Sequence, residues 1–484
     1  MKNSGDEMNQ NITPLYNALK RHRNNHPISL HVPGHKNGAV FYEKDPYFKN
    51  MLQIDLTELS HLDDLHSPEG AILEGQQLLA DFYGAEKSFF LVNGSTAGNL
   101  AMIMGTFRDG DIVFVQRNCH KSVLNGIRLA KAIPVFLQPE FDKEWGIAKE
   151  VSLNTLKEAY ERYPECKGVI LTYPNYYGMI YEIRDLIDFA HERNIPVLVD
   201  EAHGAHFIGD GYFPLSSLRF GADVVVQSAH KTLPAMTMGS FLHINSPFIS
   251  AADVQHYLQV LQSSSPSYPI MASLDIARYF LATYTEKDKE YLREKIETFK
   301  RMLALIDEIE VLDYPSGGDP LKVTIRSKSM GGYEFQQQLE EEGVFPELAD
   351  PYNVLFVLPI LKEGMDYPFD EIVSKVKAAC QKGPKRDVKR DKPYIYRKKE
   401  NVSTIYQGPF DRQKEIEYKK AAGAICAETI IPYPPGIPLI MQGEKITEED
   451  VGILSLLLET GARFQGGETI LKGKIKVLVD MEDE

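Results

Sequence analysis

The chain has 484 residues, 43% hydrophobic and 25% charged, the profile of a soluble globular chain with room for two or three domains. Its 53 basic and 68 acidic residues give a formal charge of −15, which argues against nucleic acid or an anionic membrane as partner and is compatible with a cationic ligand. No apolar run is long enough to span a bilayer, the polar stretch Met1 to Asn11 lacks a signal-peptide core, and Cys119, Cys166, Cys380 and Cys426 show no Cys-x-x-Cys spacing, so a reduced, cytoplasmic location without structural zinc is expected.

Thr13 to Arg23 reads as a short amphipathic helix with Pro14 in its first turn. Ser29 to Gly38 is an irregular loop carrying His31, His35 and Lys36, and Leu62 to Pro68 is a polar loop with the doubled acid Asp63–Asp64. No further ligands are spaced around those two acids, so a solvated turn accounts for them better than a metal site. From Ile72 the pattern becomes α/β. Ile72 to Tyr83 predicts a helix, Ser88 to Val92 a buried strand, and Asn99 to Thr106 a helix entered through the turn Asn93-Gly-Ser-Thr-Ala-Gly98. A strand leading through glycine and hydroxyl residues into a helix offers backbone N–H groups to an anion, best a phosphate. A simple cap by Ser95 or Thr96 fits the same residues.

Ile112 to Val115, Pro134 to Leu137, Lys167 to Thr172, Pro196 to Asp200 and Val224 to Val226 continue as strands, with helices over Val123 to Lys131 and Leu186 to Arg193. This alternation predicts an α/β fold, a mostly parallel sheet with helices on both faces and polar groups gathered at the carboxyl ends of the strands. Beyond Ser246 come a helix over Val254 to Gln262, the loop Ser263 to Tyr268, and long charged helices from Ser273 to Ile309. Asp319 to Ser327 and Val354 to Leu358 read as strands of a smaller α/β C-terminal domain, 382–400 as an exposed basic linker, and Ile430 to Pro438 as a rigid extended segment. Three sequential parts are expected: 1–70 at the active-site entrance, 71–300 as the large domain and 301–484 as the small one.

Four strand-end groups need a common explanation: the anion seat at Gly94, Ser95 and Thr96, then His120, Asp200 and Lys231. A lysine directly after a core strand is unusual, because its ammonium is costly to desolvate and a depressed pKa makes it a nucleophile toward carbonyls. Pyridoxal phosphate asks for this set: an anion cradle, a stacking side chain, an acid against the pyridine nitrogen and an imine-forming lysine. Strand alternation puts Asp200 and small Ala202 on one face, leaving room for a flat ring. Each residue alone also has an ordinary structural explanation; their order and placement together favour the cofactor.

At this point the sequence resembles the Orn/Lys/Arg decarboxylase family of fold-type I pyridoxal-phosphate enzymes. The resemblance rests on His31-Val-Pro-Gly-His-Lys36, Leu62-Asp-Asp-Leu-His-Ser-Pro68, Arg117-Asn-Cys-His-Lys-Ser122, Asp200-Glu-Ala-His203, Ser228-Ala-His-Lys231 and Pro432-Tyr-Pro-Pro-Gly-Ile-Pro438, spread over nearly the whole chain. It is most similar to the short Gram-positive type without an N-terminal wing domain. The resemblance implies that Lys231 forms the imine with the cofactor, that His120 stacks on its ring, and that Asp200 pairs with the ring nitrogen. It also puts Gly94, Ser95, Thr96, Ser228 and His230 at the phosphate, with Ala202 and His203 beside the ring. A homodimer or larger is implied, with Ser264 or Ser265 reaching the neighbouring subunit's phosphate. Two departures, Pro234 and Met238 after the lysine motif and His203 where larger members often carry tryptophan, lie toward the substrate.

The implied reaction is α-decarboxylation of a basic amino acid (arginine, lysine or ornithine) to its amine, in polyamine metabolism, with Lys231 or His230 protonating Cα. Glu428, Glu201 and the Asp63–Asp64 pair are the candidates for the substrate's distal cation. Two other readings share the same residues: another pyridoxal lyase or aldolase reaction, and a non-catalytic cofactor-binding homologue.

Overall fold

The computed structural model describes residues 8–41, 46–209, 211–314, 317–383, 400–434, 436–466 and 468–479. The expected basic linker falls almost wholly outside them, as does most of the polar start of the chain. In chain order the first strands are β1 (Lys87–Leu91), β2 (Ile112–Gln116), β3 (Ile133–Leu137), β4 (Gly168–Thr172), β5 (Val197–Asp200), β6 (Val224–Gln227) and β7 (Ser240–Ile244). The first helices are α1 (Pro14–Asn24), α2 (Pro46–Leu52), α3 (Ala71–Tyr83) and α4 (Gly94–Thr106). The chain divides into two compact units that interleave in sequence: Met1–Asp109, Asn125–Lys131 and Ile187–Lys289 form one, and the remainder forms the other.

In the first unit the strands lie in the order β1-β7-β6-β5. β5 and β6 are parallel, while β7 runs antiparallel to both β6 and β1. Val224, Val225 and Val226 are fully buried, as expected of a β-branched run covered on both faces. Helix α4 packs closely on this sheet because Gly98 has no side chain. A Cβ there would stand 2.7 Å from Leu91 Cδ1 and 2.9 Å from Val226 Cγ1. About two turns later, a Cβ on Gly105 would stand 2.9 Å from the Cα of Val254, on the helix Ala251–Leu261. These contacts fix where the first turn of α4 points.

Two carboxylates, buried Asp275 and half-buried Asp63, anchor α1 and α3. Asp275 accepts from the N–H groups of Leu15 and Tyr16 (3.0 and 3.2 Å) at the start of α1 and pairs with fully buried Arg278 at 3.1 Å. Asp63, one of the doubled acids, accepts from the N–H groups of Glu69, Gly70, Ile72 and Leu73, so it caps α3 from outside the helix. Burial pushes its carboxyl up, but these N–H groups outweigh that and hold it below the usual range.

In the second unit β4-β2-β3-β12 is the strand order, with β12 (Val402–Ser403) antiparallel to β3 and the other pairs parallel. The expected strands of the smaller layer are present. β8 (Ile309–Val311), β9 (Lys322–Ser327), β10 (Leu348–Ala349) and β11 (Val354–Val357) form an antiparallel sheet in the order β10-β11-β9-β8. Ile309, expected to end a helix, begins β8.

Two expectations at the site are corrected. Helix α4 begins at Gly94, five residues before Asn99, so the glycine and hydroxyl cluster is the first turn of the helix itself. The glycines mimic a loop in sequence, yet Gly94 serves the entry at φ +73° and Gly98 serves packing. Strand β5 stops at Asp200, so Ala202 stands in a turn and strand alternation does not place it.

The contact at Gly98 yields a stability prediction. Gly98→Ala is expected to cost about 1–3 kcal/mol by overpacking, read by urea unfolding. Gly452→Ala, in the helix Glu448–Glu459 with nothing within 4 Å of an added Cβ, is expected to be neutral or stabilising by up to about 1 kcal/mol.

Candidate active site

The first unit brings most of the predicted site residues together. Ser228 follows β6 and is fully buried, and its Oγ donates to Ser95 Oγ at 2.7 Å on the first turn of α4. Thr96 is exposed on the same turn. Gly94 plays a narrower part than expected, since its N–H donates to Met238 O at 2.9 Å. What remains of it is the left-handed φ and open space, because an added Cβ would meet nothing within 4 Å. Met238, in the stretch that departs from the family pattern, itself has φ +76°. That conformation is uncommon for a side chain of its size. Its carbonyl thereby closes over the end of the cradle.

Asp200 ends β5 and is 3% exposed. Asn99 Nδ2, one turn into α4, donates to its Oδ2 at 2.9 Å, and the Ala202 N–H donates to Oδ1 at 3.2 Å. Sequence reasoning missed Asn99, although a single amide in the apolar run Ala97 to Met104 was a readable signal. Lys231 lies on the short helix Ala229–Thr232, with Nζ 3.0 Å from Nε2 of buried His203. An ammonium can only donate, which assigns the lone pair to Nε2 of His203 when Lys231 is charged. His230 is turned to the backbone, with Nδ1 donating to Gly239 O at 2.9 Å.

Ser264 and Ser265 stand exposed on the loop before the helix Tyr268–Ala282. No contact of theirs with Lys231 or Ser228 occurs among the described residues. His66 holds this loop through the carbonyl of Ser263 at 2.8 Å.

His120 belongs to the second unit, in the loop after β2, where its Nδ1 stands 2.8 Å from Ser122 Oγ. The proline-rich C-terminal segment comes to its edge. Gly436 has φ +96°, and a Cβ on it would be 3.2 Å from His120 Nε2. Arg117 secures that approach by donating to the carbonyls of Pro438 and Leu439 and pairing with buried Glu444 at 2.8 Å. The segment is extended only over Ile431–Pro432 before it turns.

A donor-lined helix end beside two hydroxyls, a carboxylate fixed by an amide and a strand-end lysine match what pyridoxal phosphate requires. Over residues 13–317 the sequence matches the model of the Orn/Lys/Arg decarboxylase major domain, and over 398–480 that of the family's C-terminal domain. The chain belongs to the Orn/Lys/Arg decarboxylase family. It is 46% identical to an uncharacterized protein of Bacillus subtilis, with 97% of this chain and 99% of that one covered. It is 34% identical to the arginine decarboxylase of the same organism over 98% and 99%. The constitutive lysine decarboxylase of Escherichia coli superposes with TM-score 0.77 at 20% identity, covering 97% of this chain and 82% of that one. A serine palmitoyltransferase is similar in fold at TM-score 0.51 and 19% identity, over 64% of this chain and 76% of that one. The fold is therefore fold-type I, as expected. Among the described residues no helix is long and apolar enough to cross a membrane, no group of acids, histidines and cysteines is arranged to hold a metal, and the four cysteines are buried and form no disulfide.

Of the four carboxylates considered for the substrate's distal cation, three of this decarboxylase's are committed internally. Asp63 caps α3. Glu428 accepts from Thr469 Oγ1 and from the Lys476 N–H at 2.7 Å. Glu201 is fully buried, where Ser216 Oγ, Ser217 N, Ser217 Oγ and Gln227 Nε2 all donate to it within 2.8 Å. Asp64 accepts from the His66 N–H through Oδ1.

The Glu201 cluster continues through Gln227, whose Oε1 faces His243 Nε2 at 3.1 Å, and through His243 Nδ1 to Ser88 Oγ at 2.7 Å. Since Gln227 donates to Glu201, its oxygen must accept, which puts the His243 proton on Nε2. Burial pushes His243 down to about 3, so it stays neutral. Burial likewise pushes Glu201 up to about 7, against the pull of Ser217, Gln227 and Ser216. Between the ordinary value of 4.5 and about 7 the folded chain keeps a proton that the unfolded chain has released. Stability therefore falls as pH rises through that window and levels off above it, by up to about 3 kcal/mol. Glu201→Gln is expected to flatten this part of the profile, measured by urea unfolding from pH 4.5 to 7.5. An unchanged slope would assign it to another group.

Proposed function

We propose that this decarboxylase binds pyridoxal phosphate in its first unit and removes the α-carboxyl of a basic amino acid, releasing CO₂ and an amine. The observation that carries the reading is the gathering of Ser95, Ser228, Asp200 and Lys231 at adjoining strand and helix ends, each oriented by a named partner. Ser95 and Ser228 would hold the phosphate with the backbone N–H groups of the first turn of α4, where the helix end is positive. Asn99 and the Ala202 N–H occupy one oxygen of Asp200 each. They fix the plane of the carboxylate while leaving its charge directed at a protonated ring nitrogen.

Bound there, the cofactor supplies the electron sink for the pair left at Cα. Lys231 would return a proton to Cα, and His203 holds Nζ in position. His230 is committed to Gly239 O through Nδ1, so Lys231 is the better proton donor of the two. His120 would cover the ring, and the segment around Gly436 limits its movement. Arginine is the first substrate to test, given the relationship to the Bacillus subtilis arginine decarboxylase, followed by lysine and ornithine. A cytoplasmic role in polyamine formation accords with cysteines that form no disulfide and with a cationic product.

We further propose a homodimer. Ile28, Leu30, Val32 and Val40, all within one segment, are 91%, 92%, 64% and 68% exposed, an apolar surface that an isolated chain would leave in water. Ser264 and Ser265 lie exposed as well, in keeping with a role toward a second subunit.

Purified protein with pyridoxal phosphate is expected to release CO₂ from at least one of the three amino acids, and silence with all three would sink the reading. Lys231→Ala should lower the rate by at least about 10²–10⁴-fold. It should also abolish the cofactor's mass on the Lys231 peptide after borohydride reduction. Sedimentation should give a dimer, with Leu30→Glu shifted toward monomer.

A further inference from the structure

The second unit contains a cavity of about 120 Å³ that none of the residues discussed so far requires. That is well above the ~10–15 Å³ that admits one water. Its walls are mostly apolar, from Leu348, Ile437 and Leu439 among others, with Tyr176, Tyr177 and Tyr333 adding aromatic surface. Arg117 also borders it, but that guanidinium is matched by Glu444.

Two polar groups in the wall lack a counterpart. Asp350 is 5% exposed and accepts four hydrogen bonds: from the N–H groups of Tyr352 (2.7 Å) and Asn353 (2.8 Å), from Asn353 Nδ2 (2.8 Å) and from the Tyr177 hydroxyl. All four partners donate and favour the ionised form, but burial outweighs them and pushes the carboxyl above its ordinary range, so a cation beside it is what would hold the charge there. Among the described residues no lysine, arginine or histidine pairs with it. Gln138 is 9% exposed, and its Oε1 is a buried acceptor without a hydrogen-bond partner. A buried carboxylate with no cation to match its charge and a buried acceptor without a donor are each costly. A single ligand satisfies both if it is a cation that also donates hydrogen bonds.

We propose that this cavity binds an aliphatic cation, an ammonium or guanidinium on a short methylene chain, with its charge held by Asp350 and Gln138 Oε1. The tyrosine faces add cation–π attraction, and Leu348, Ile437 and Leu439 receive the methylenes. The contact with Asp350 is chiefly one of charge, since its lone pairs are already occupied. The site rests on this geometry alone. That the ligand belongs to the chemical class of the amine product rests on the proposed decarboxylation.

Calorimetry on the full-length protein tests it, with cadaverine and agmatine as probes and pentane-1,5-diol as the uncharged control. The wild type should bind at least one amine and bind the diol at least tenfold more weakly. Asp350→Asn preserves the shape and the acceptor for Tyr177, and should weaken amine binding by tenfold or more. Gln138→Leu, which leaves Asp350 and its partners untouched, should weaken it several-fold and serves if Asp350→Asn fails to fold. Lys231→Ala should leave it unchanged, separating this cavity from the cofactor residues. Equal binding of diol and amine, no amine binding by the wild type, or undiminished binding by a folded Asp350→Asn would each overturn the proposal. Absence of CO₂ release with amine binding intact would count against the decarboxylation alone.

Discussion

A carboxylate with no access to water sets the conditions for the first unit. Glu201 follows Asp200 directly and is held by two serines and by Gln227 at the end of β6. Because Gln227 reaches His243 and His243 reaches Ser88, one chain of hydrogen bonds joins β5, β6, β7 and β1 behind the candidate site. Buried groups of this kind are tolerated only when each is satisfied, so the network permits little freedom in where β5 and β6 end. Those ends carry Asp200 and Ser228, and Lys231 follows within one turn.

The same requirement shapes α4. Its first turn must approach Ser228 closely enough for a 2.7 Å hydroxyl contact, and its second must bring Asn99 to Asp200. Gly98 makes this possible by letting the helix backbone approach Leu91 and Val226. One helix thus serves both the anion seat and the acid, which explains why a packing change at Gly98 bears on the chemistry as well as on stability.

The second unit solves a parallel problem with a buried ion pair. Arg117 and Glu444 exclude water from each other and fix the turn that follows Pro432 against the loop bearing His120. Removing either partner would leave an unmatched buried charge, whose cost far exceeds that of an exposed pair. Asp350, in the same unit, has hydrogen-bond donors around it but, among the described residues, no cation, and that contrast with Glu444 singles out its cavity.

The sequence by itself determined the α/β class, the placement of Asp200, Ser228 and Lys231 at strand ends, and the family. These follow from local signals, namely β-branched runs, turn residues and contiguous motifs. It misjudged where local signals are ambiguous: Gly94 to Gly98 has a loop's composition yet forms a helical turn, because glycines serve close packing as readily as turns. Only the tertiary structure decided which acids are available. Asp63, Glu201 and Glu428 look alike as carboxylates in sequence, and each is committed to donors distant along the chain or brought near by folding. Whether a carboxylate meets solvent, a helix end or a cavity depends on long-range packing, and residue spacing carries no record of it.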